Sequence, residues 1–307
     1  MEYIVTGGAG YIGGHMVDSL VNGNKVTVLD DLSSGSYMNK ASKFIKVDLS
    51  DRNAVENLDL EKGSCIIHLA ANPSVIDSMR DVGRHFRQDV TATLNTLELA
   101  RRIDASKFIF ASSSVVYGDA KKIPTPENYR LKPISNYGLF KFFGEELVER
   151  HSHDYGIKSV SMRLANVIGG RSNHGIIPDF IAKLRNNPQE LNILGDGRQR
   201  KSYIYISDVI AAMNILSKKK VSGHLRINIG NTDSVSVNEI ADYVTGGMGL
   251  HPKYSYNNSN AGRGWKGDVK VMLLDIRKMQ KLGWNPTLSS ALSVKTAVKD
   301  LLGKNQK

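Results

Sequence analysis

Glu2-Tyr3-Ile4-Val5-Thr6-Gly7-Gly8-Ala9-Gly10-Tyr11-Ile12-Gly13 decides the fold of this chain. An apolar run over residues 2–6 reads as a buried strand, and it passes through glycines straight into a helix expected over 11–22. The glycines satisfy Gly-x-x-Gly-x-x-Gly (Gly7, Gly10, Gly13) and also Gly-x-Gly-x-x-Gly (Gly8, Gly10, Gly13). Small residues are needed there because the backbone must turn sharply, approach a pyrophosphate closely and let the helix pack on the strand. The helix N-terminus then offers amides to the anion. Gly7, Gly10, Tyr11, Ile12 and Gly13 are therefore candidate dinucleotide contacts. A second strand, 25–30, ends in Asp30, a carboxylate placed to accept from adenosine ribose hydroxyls and to repel a 2′-phosphate, which favours NAD over NADP. Asp31 reads as a turn residue. Asp48, after a third strand over 44–47, either reaches the adenine or caps the next helix.

Further strands are expected at 65–69, 108–111 and 159–163, alternating with helices at 54–57, 89–102 and 136–153. That alternation predicts an α/β fold with a doubly wound parallel sheet, a Rossmann domain over 1–165. After Arg163 the regularity breaks into loops rich in Gly, Pro and Asn, with strands at 191–194, 226–229 and 271–274 and helices at 207–217, 237–243 and 288–302. Residues 166–307 are expected to form a smaller α/β substrate lobe, partly threaded back onto the sheet. No internal repeat or low-complexity segment interrupts the pattern.

The 307 residues are long enough to bury a full core, and 41% hydrophobic with 23% charged residues is an ordinary globular balance. A single cysteine, Cys65, rules out an intrachain disulfide framework, and its apolar surroundings predict a buried structural thiol. No leader or spanning segment is expected ahead of the first strand, so the protein is expected to be cytoplasmic and away from membranes. Asn257-Asn258-Ser259 spells a glycosylation acceptor, read as chance without a secretory signal. The formal charge of +11 does not predict nucleic-acid binding, because the basic residues are scattered and the densest run, Lys218-Lys219-Lys220, reads as an exposed helix end.

Tyr137-Gly138-Leu139-Phe140-Lys141 places a phenol and an ammonium on one helix face. A free tyrosine titrates near ~10, too high for a good base at neutral pH. A fixed ammonium and a cationic nicotinamide ring nearby are expected to bring that value down. Ser112-Ser113-Ser114 sits at the carboxyl end of the fifth strand, the edge where such sheets bind ligands. His68 reads as a packed, hydrogen-bonded residue, and His151-Ser152-His153-Asp154 as surface residues at the end of a helix, with no metal site.

The glycine loop, His68-Leu69-Ala70-Ala71, Ser112-Ser113-Ser114-Val115-Val116-Tyr117-Gly118 and Tyr137-x-x-x-Lys141 together resemble an extended short-chain dehydrogenase/reductase. More narrowly they resemble the UDP-glucose (UDP-galactose) 4-epimerases of archaeal type. The likeness continues through Arg163 to Gly169, Gly195 to Gln199, Tyr203 to Val209 and Arg263 to Val269. It implies C4 inversion of a UDP-hexose through a 4-keto intermediate on tightly held NAD, with Tyr137 as general base. Lys141 would hold the nicotinamide ribose, and Ser113 would bond the reacting 4-hydroxyl. Leu69, Ala70, Ala71 and Ser112 would join the cofactor contacts. Asn166, Lys201 and Arg263 would serve the substrate diphosphate, Asp268 would join the substrate contacts, and Gly195 to Gln199 would line the uridine side. A homodimer through helices 89–102 and 136–153 is also implied.

The same alignment argues against dehydration, because the 4,6-dehydratases carry Asp-Glu where this chain has Ser114-Val115. Phe140 replaces a family serine, Asp89 an asparagine, and Lys201 an arginine; lysine keeps the charge and loses bidentate geometry. Met272 falls at the position that gates N-acetyl sugars. The sugar stays open between glucose/galactose, an N-acetylhexosamine and a uronate. A nucleotide-sugar reductase or decarboxylase, and a non-catalytic dinucleotide-binding regulator, are the alternative readings. A regulator would be marked by damage to the Tyr137, Lys141 and Ser113 set, which is intact here.

Overall fold

A computed structural model describes residues 1–75, 77–258 and 261–303. The serine of the glycosylation acceptor, Ser259, and the last four residues of the expected lobe lie outside them. The chain forms two compact units, each discontinuous. The first comprises Met1–Val116, Ser135–Arg163 and Ile210–Ile227; the second comprises Tyr117–Ile134, Leu164–Val209 and Asn228–Lys307.

Strands β1 (Glu2–Thr6) and β2 (Lys25–Asp30) flank helix α1 (Tyr11–Leu20) in the sequence, followed by β3 (Lys43–Lys46), the short α2 (Arg52–Glu56) and β4 (Cys65–His68). Among the described residues the central sheet has seven strands. β5 (Lys107–Ser113), β6 (Ser159–Leu164) and, on the outside, His224–Ile229 continue it beyond β4, and β2 and β3 lie on the other side of β1. Parallel register joins Thr6 to Leu29 on one flank and to His68 on the other, so the carboxyl ends of β1, β2 and β4 lie at one edge. The chain reverses direction across the sheet between β1 and β4, which is where such sheets bind ligands.

The strands are continuous apolar runs because both faces are covered. Ile4, Ile66 and Phe108 are wholly buried and share a core with Leu97, Leu99 and Val148. Burial on that scale stabilises by roughly 1.5–3 kcal/mol per large side chain. Helix α5 (Ala92–Arg102) supplies Leu97 and Leu99, and α6 (Asn136–Tyr155) supplies Val148. The expected helix start at Asp89 is corrected: Arg87–Thr91 is a π-helical turn, preceded by the short helices α3 (Asp77–Arg80) and α4 (Val82–Phe86).

The second unit has its own core, in which Ile177, Phe180 and Leu184 of helix Ile176–Asn186 pack with Leu191, Ile193, Ile240 and Val294. Its strands pair in small groups. Glu190–Leu194 pairs in parallel with Lys253–Asn257, and Arg200–Lys201 lies between Val235–Ser236 and Val271–Met272.

The Lys218-Lys219-Lys220 run is exposed and begins at the last residue of helix Ile206–Lys218. His151 and Ser152, expected at the surface, are buried instead. The helix continues to Tyr155, and His151 lies against α5, with Nε2 3.0 Å from Glu98 Oε1. Only His153 of that pair of histidines is exposed. No helix among the described residues is long and apolar enough to cross a membrane.

Candidate active site

The glycine loop is built for a close ligand. Gly7 adopts φ +67°, and a Cβ there would lie 2.6 Å from the Ala70 amide nitrogen; a Cβ on Gly13 would lie 2.0 Å from the Gly7 carbonyl oxygen. Gly10 is the N-cap of α1 and offers no side-chain acceptor to the first-turn amides, around Tyr11, Ile12 and Gly13. Thr6 Oγ1 ties the loop to the end of β4 by accepting from the amides of Leu69 and Ala70 at 3.2 Å each and meeting His68 Nδ1 at 2.8 Å. Ala71 follows immediately. Asp30 is buried and accepts from Ala9 N at 2.9 Å and Leu32 N at 2.8 Å, so its carboxylate also holds the loop's shape. Burial pushes its carboxyl above the usual range, against those two bonds. Asp31 closes a turn by accepting from the amide and hydroxyl of Ser33. Asp48 is exposed and bonds Ser50; the cap of α2 is Asp51, which corrects the capping alternative for Asp48.

Tyr137, Lys141 and Ser113 come together in the first unit. Ser135 caps α6 by accepting from Gly138 N, while Asn136 and Tyr137 N bond Ser78 and anchor the start of the helix. Gly144 lets the helix close on the sheet, since a Cβ there would meet the Phe110 ring at 2.5 Å. Lys141 is buried. Its Nζ donates to the Ala111 carbonyl at 2.9 Å and lies 5.8 Å from the centre of the Tyr137 ring. The half-buried Tyr137 phenol is pushed above its ordinary range, first by burial and then by the Asp89 carboxylate, while its hydrogen bond with Ser113 opposes the rise. Burial is thus the effect that the expected lowering by Lys141 and the nicotinamide ring has to overcome. Burial also lowers Lys141, with Asp89 opposing. His68 is wholly buried between Thr6 and Thr93, and desolvation followed by the Lys141 charge pushes it down to about 3, so it stays neutral and structural.

Ser112 faces the interior. Its hydroxyl donates to Glu145 Oε1 at 2.5 Å, and Glu145 forms a wholly buried ion pair with Arg163 at 2.6 Å.

The polar candidates of the C-terminal half lie in the second unit. Asn166 Nδ2 donates to Ser202 O at 3.3 Å, and Lys201 Nζ pairs with the buried Asp268 at 2.5 Å while lying 5.1 Å from the Trp265 ring centre. Arg263 grips Asp119 with both terminal nitrogens, at 3.0 and 2.9 Å, and also donates to the Asp268 carbonyl. Gly195 and Gly197 take positive φ, and Gln199 is buried, donating to Leu194 O at 3.0 Å. Met272 is buried and registers against Lys201.

Residues 3–230 match the NAD dependent epimerase/dehydratase family. The chain belongs to that family. It is 30% identical over 320 residues to a UDP-glucose 4-epimerase of Mycolicibacterium smegmatis, covering 100% of each. A crystal structure of a UDP-galactose 4-epimerase superposes with a TM-score of 0.90 and 42% identity over 100% of both chains. A UDP-N-acetylglucosamine 4-epimerase from Methanobrevibacter ruminantium M1, solved in complex with UDP-N-acetylmuramic acid, gives 0.87 and 29% over 99% of this chain and 98% of that one.

This family member is an NAD-dependent enzyme, and the three relatives above are isomerases by name. Its residues fit NAD: the glycine cradle leaves no room for a Cβ, and Asp30 stands at the end of β2. Several contributors were not foreseen from the sequence. Thr6 and Glu145 are two of them, and Glu145 carries a readable signal, since it follows Lys141 by one helical turn on the same face. Asp119 and the His85–Asp89 contact have no such signal, because their partners are distant or unusual. Among the described residues no group of three His, Cys, Asp or Glu side chains could hold a metal ion.

Proposed function

We propose that this protein interconverts UDP-glucose and UDP-galactose by inverting C4 of the hexose on tightly bound NAD. The observation that carries this reading is the meeting of the Ser113 hydroxyl, the Tyr137 phenol and the Lys141 ammonium at the end of β5 and the start of α6. When bound, NAD supplies a hydride acceptor and donor at the reacting carbon. Tyr137 takes the O4 proton and later returns one, as a general base and then acid. Ser113 bonds the same oxygen and, through its bond to the phenol, favours the ionised form of Tyr137. Lys141 brings positive charge to that face; one of its N–H groups is fixed on Ala111 O, and the others serve the nicotinamide ribose. Val115 has no proton to give or take, which argues against elimination of water.

On the substrate side, Lys201 and Arg263 carry positive charge for the diphosphate, Asn166 bonds it, Asp268 fixes the Lys201 ammonium, and Gly195 to Gln199 line the uridine. The Lys201–Asp268 pair, with its carboxylate buried, supports this assignment by holding the ammonium in one place. We also propose a homodimer through α5 and α6, supported by the exposed apolar side chains Leu94 and Phe143 on those helices.

Proton NMR of UDP-galactose incubated with the purified protein and no added cofactor tests the reading. Anomeric signals of UDP-glucose should appear without accumulation of NADH absorbance. Unchanged UDP-galactose, with inversion of UDP-N-acetylglucosamine or UDP-glucuronate instead, would move the assignment to that sugar. No inversion of any of the three by NAD-loaded protein would overturn it.

A further inference from the structure

His85 and Asp89 lie one helical turn apart, across the junction of α4 and the π-helical turn Arg87–Thr91, and both side chains are 1% exposed. His85 Nδ1 approaches Asp89 Oδ2 to 2.9 Å, off the hydrogen-bonding axis, and no other group among the described residues bonds either atom. The other ring nitrogen, Nε2, lies 3.0 Å from the Ser74 carbonyl oxygen, which can only accept, so Nε2 carries a proton. The Asp89 carboxylate accepts from Asn72 N through Oδ1 at 2.8 Å. Two bare acceptors at 2.9 Å would repel, so the contact calls for a proton, which the ring or the carboxyl can carry; with either, the pair as a whole is neutral.

This pair stands beside the reacting groups. The His85 ring meets the Tyr137 ring edge-on at 6.2 Å between centres and packs on Phe140 at 6.0 Å. π-Helical turns recur at functional sites because the extra residue re-aims side chains. Here the turn carries Asp89, at the position where the resemblance expects asparagine. The charged and titratable groups around the pair are Tyr137 and Lys141 from α6, Asp77 and Arg80 from α3, and Asp81 and Arg84 from the turn of His85 itself. The last four line, with Asn72 and His85, a hollow of about 170 Å³.

We propose that the ring carries this proton and that His85 is a positioning residue of the proton-transfer site: its positive charge cancels that of Asp89 and so allows Tyr137 to ionise beside Lys141. The inference rests on the assignment of Tyr137 as the base, and it adds a residue to that assignment. An uncancelled Asp89 carboxylate would hold the phenol proton in place. Removing both charges would restore the neutral field.

The test uses NAD-loaded protein without sugar, so it does not depend on which substrate is turned over. Tyrosinate absorbance is followed as pH is raised, with the Tyr137→Phe curve subtracted to isolate Tyr137. His85→Gln should move the Tyr137 midpoint up by about one pH unit, and His85→Gln with Asp89→Asn should bring it back. An unmoved midpoint in His85→Gln, or a double variant that stays with the single, overturns the proposal. Nitrogen NMR of the His85 ring in the wild-type protein gives an answer even if a variant fails to fold: two protonated nitrogens are expected, and a bare Nδ1 overturns the proposal. If epimerisation is found, the acid limb of its kcat profile should move with the tyrosinate midpoint. If none is found while the midpoints shift as stated, the substrate assignment fails and this one stands.

Discussion

Lys141 Nζ donates to the carbonyl oxygen of Ala111 at 2.9 Å, which ties the helix carrying Tyr137 to the strand carrying Ser113. The ammonium is thus both a charge near the phenol and a brace between the two elements. Lys141→Met should lower kcat by about 10²-fold or more, and Tyr137→Phe by about 10²–10⁴-fold. Initial rates by NMR with NAD occupancy measured on the same sample separate the two roles. Tyr137→Phe should retain NAD, whereas Lys141→Met should also lose part of it.

Behind the site, Glu145 and Arg163 are 0% and 1% exposed, and Ser112 bonds the same carboxylate. A buried charge left without its partner is costly, so Glu145→Gln and Arg163→Met should each destabilise the protein by about 3–5 kcal/mol. Replacing both by apolar residues should cost less than the two single changes added together. Urea denaturation of the two singles and the double measures this. A double variant as unstable as the sum would show that the pair acts through separate neighbours.

The cofactor half of this arrangement was legible in the sequence because its cause is local. Gly7, Gly10 and Gly13 are required by backbone approach, and Tyr137 and Lys141 meet through helical spacing alone. Legibility fails where contacts are made at long range or against local signals. Helix Ile176–Asn186 buries Ile177, Phe180, Ile181 and Leu184, yet Gly175 and Pro178 around its start read as loop. Lys253–Asn257 escapes because its tyrosines become strand residues only by pairing with Glu190–Leu194. His151 reads as surface among polar neighbours, and only the packing of α6 on α5 buries it. Asp89 is identified in sequence only as a departure; its meaning comes from the π-helical turn, which no periodicity announces.

Gly13 offers a sharp test of the cradle. A Cβ there would lie 2.0 Å from the Gly7 carbonyl oxygen and 2.7 Å from Gly8 Cα, both backbone atoms that cannot rotate away. Gly13→Ala should therefore push α1 off the loop and abolish retention of NAD through gel filtration, with absorbance at the nucleotide band as the readout. The fold should survive, because the core beneath β1 does not include Gly13. Gly23→Ala, where no atom lies within 4 Å and φ is +87°, should affect stability modestly and leave NAD binding intact.

Lys201 and Asp268 give a prediction for the second unit. Their 2.5 Å contact fixes an ammonium where the resemblance expects an arginine. Lys201→Met should raise KM for the UDP-sugar by about tenfold, the loss of one charge-assisted bond, with a smaller effect on kcat. Lys201→Arg should restore KM toward the wild-type value. If Lys201→Met left KM unchanged, the diphosphate would have to be held elsewhere.

His68 sets a pH dependence of stability whose sign follows from its burial. Its ordinary value is 6.5, and desolvation with the Lys141 charge pushes it to about 3 in the folded protein. Above pH 6.5 the ring is neutral in both states and the folded protein has its full stability from this group. Between 6.5 and 3 the unfolded chain binds a proton that the folded protein refuses, so stability falls as pH falls. The loss over that window is on the order of 4 kcal/mol, from about 1.4 kcal/mol for each pH unit. Urea midpoints of wild type and His68→Asn between neutral pH and about pH 4 isolate this contribution, because the other titrating groups are common to both. Wild type should lose stability more steeply on acidification, although the variant starts lower for want of the Thr6 and Thr93 contacts. Parallel curves would mean that His68 takes up its proton without leaving the folded state, and that its neighbours can accommodate an imidazolium beside Lys141.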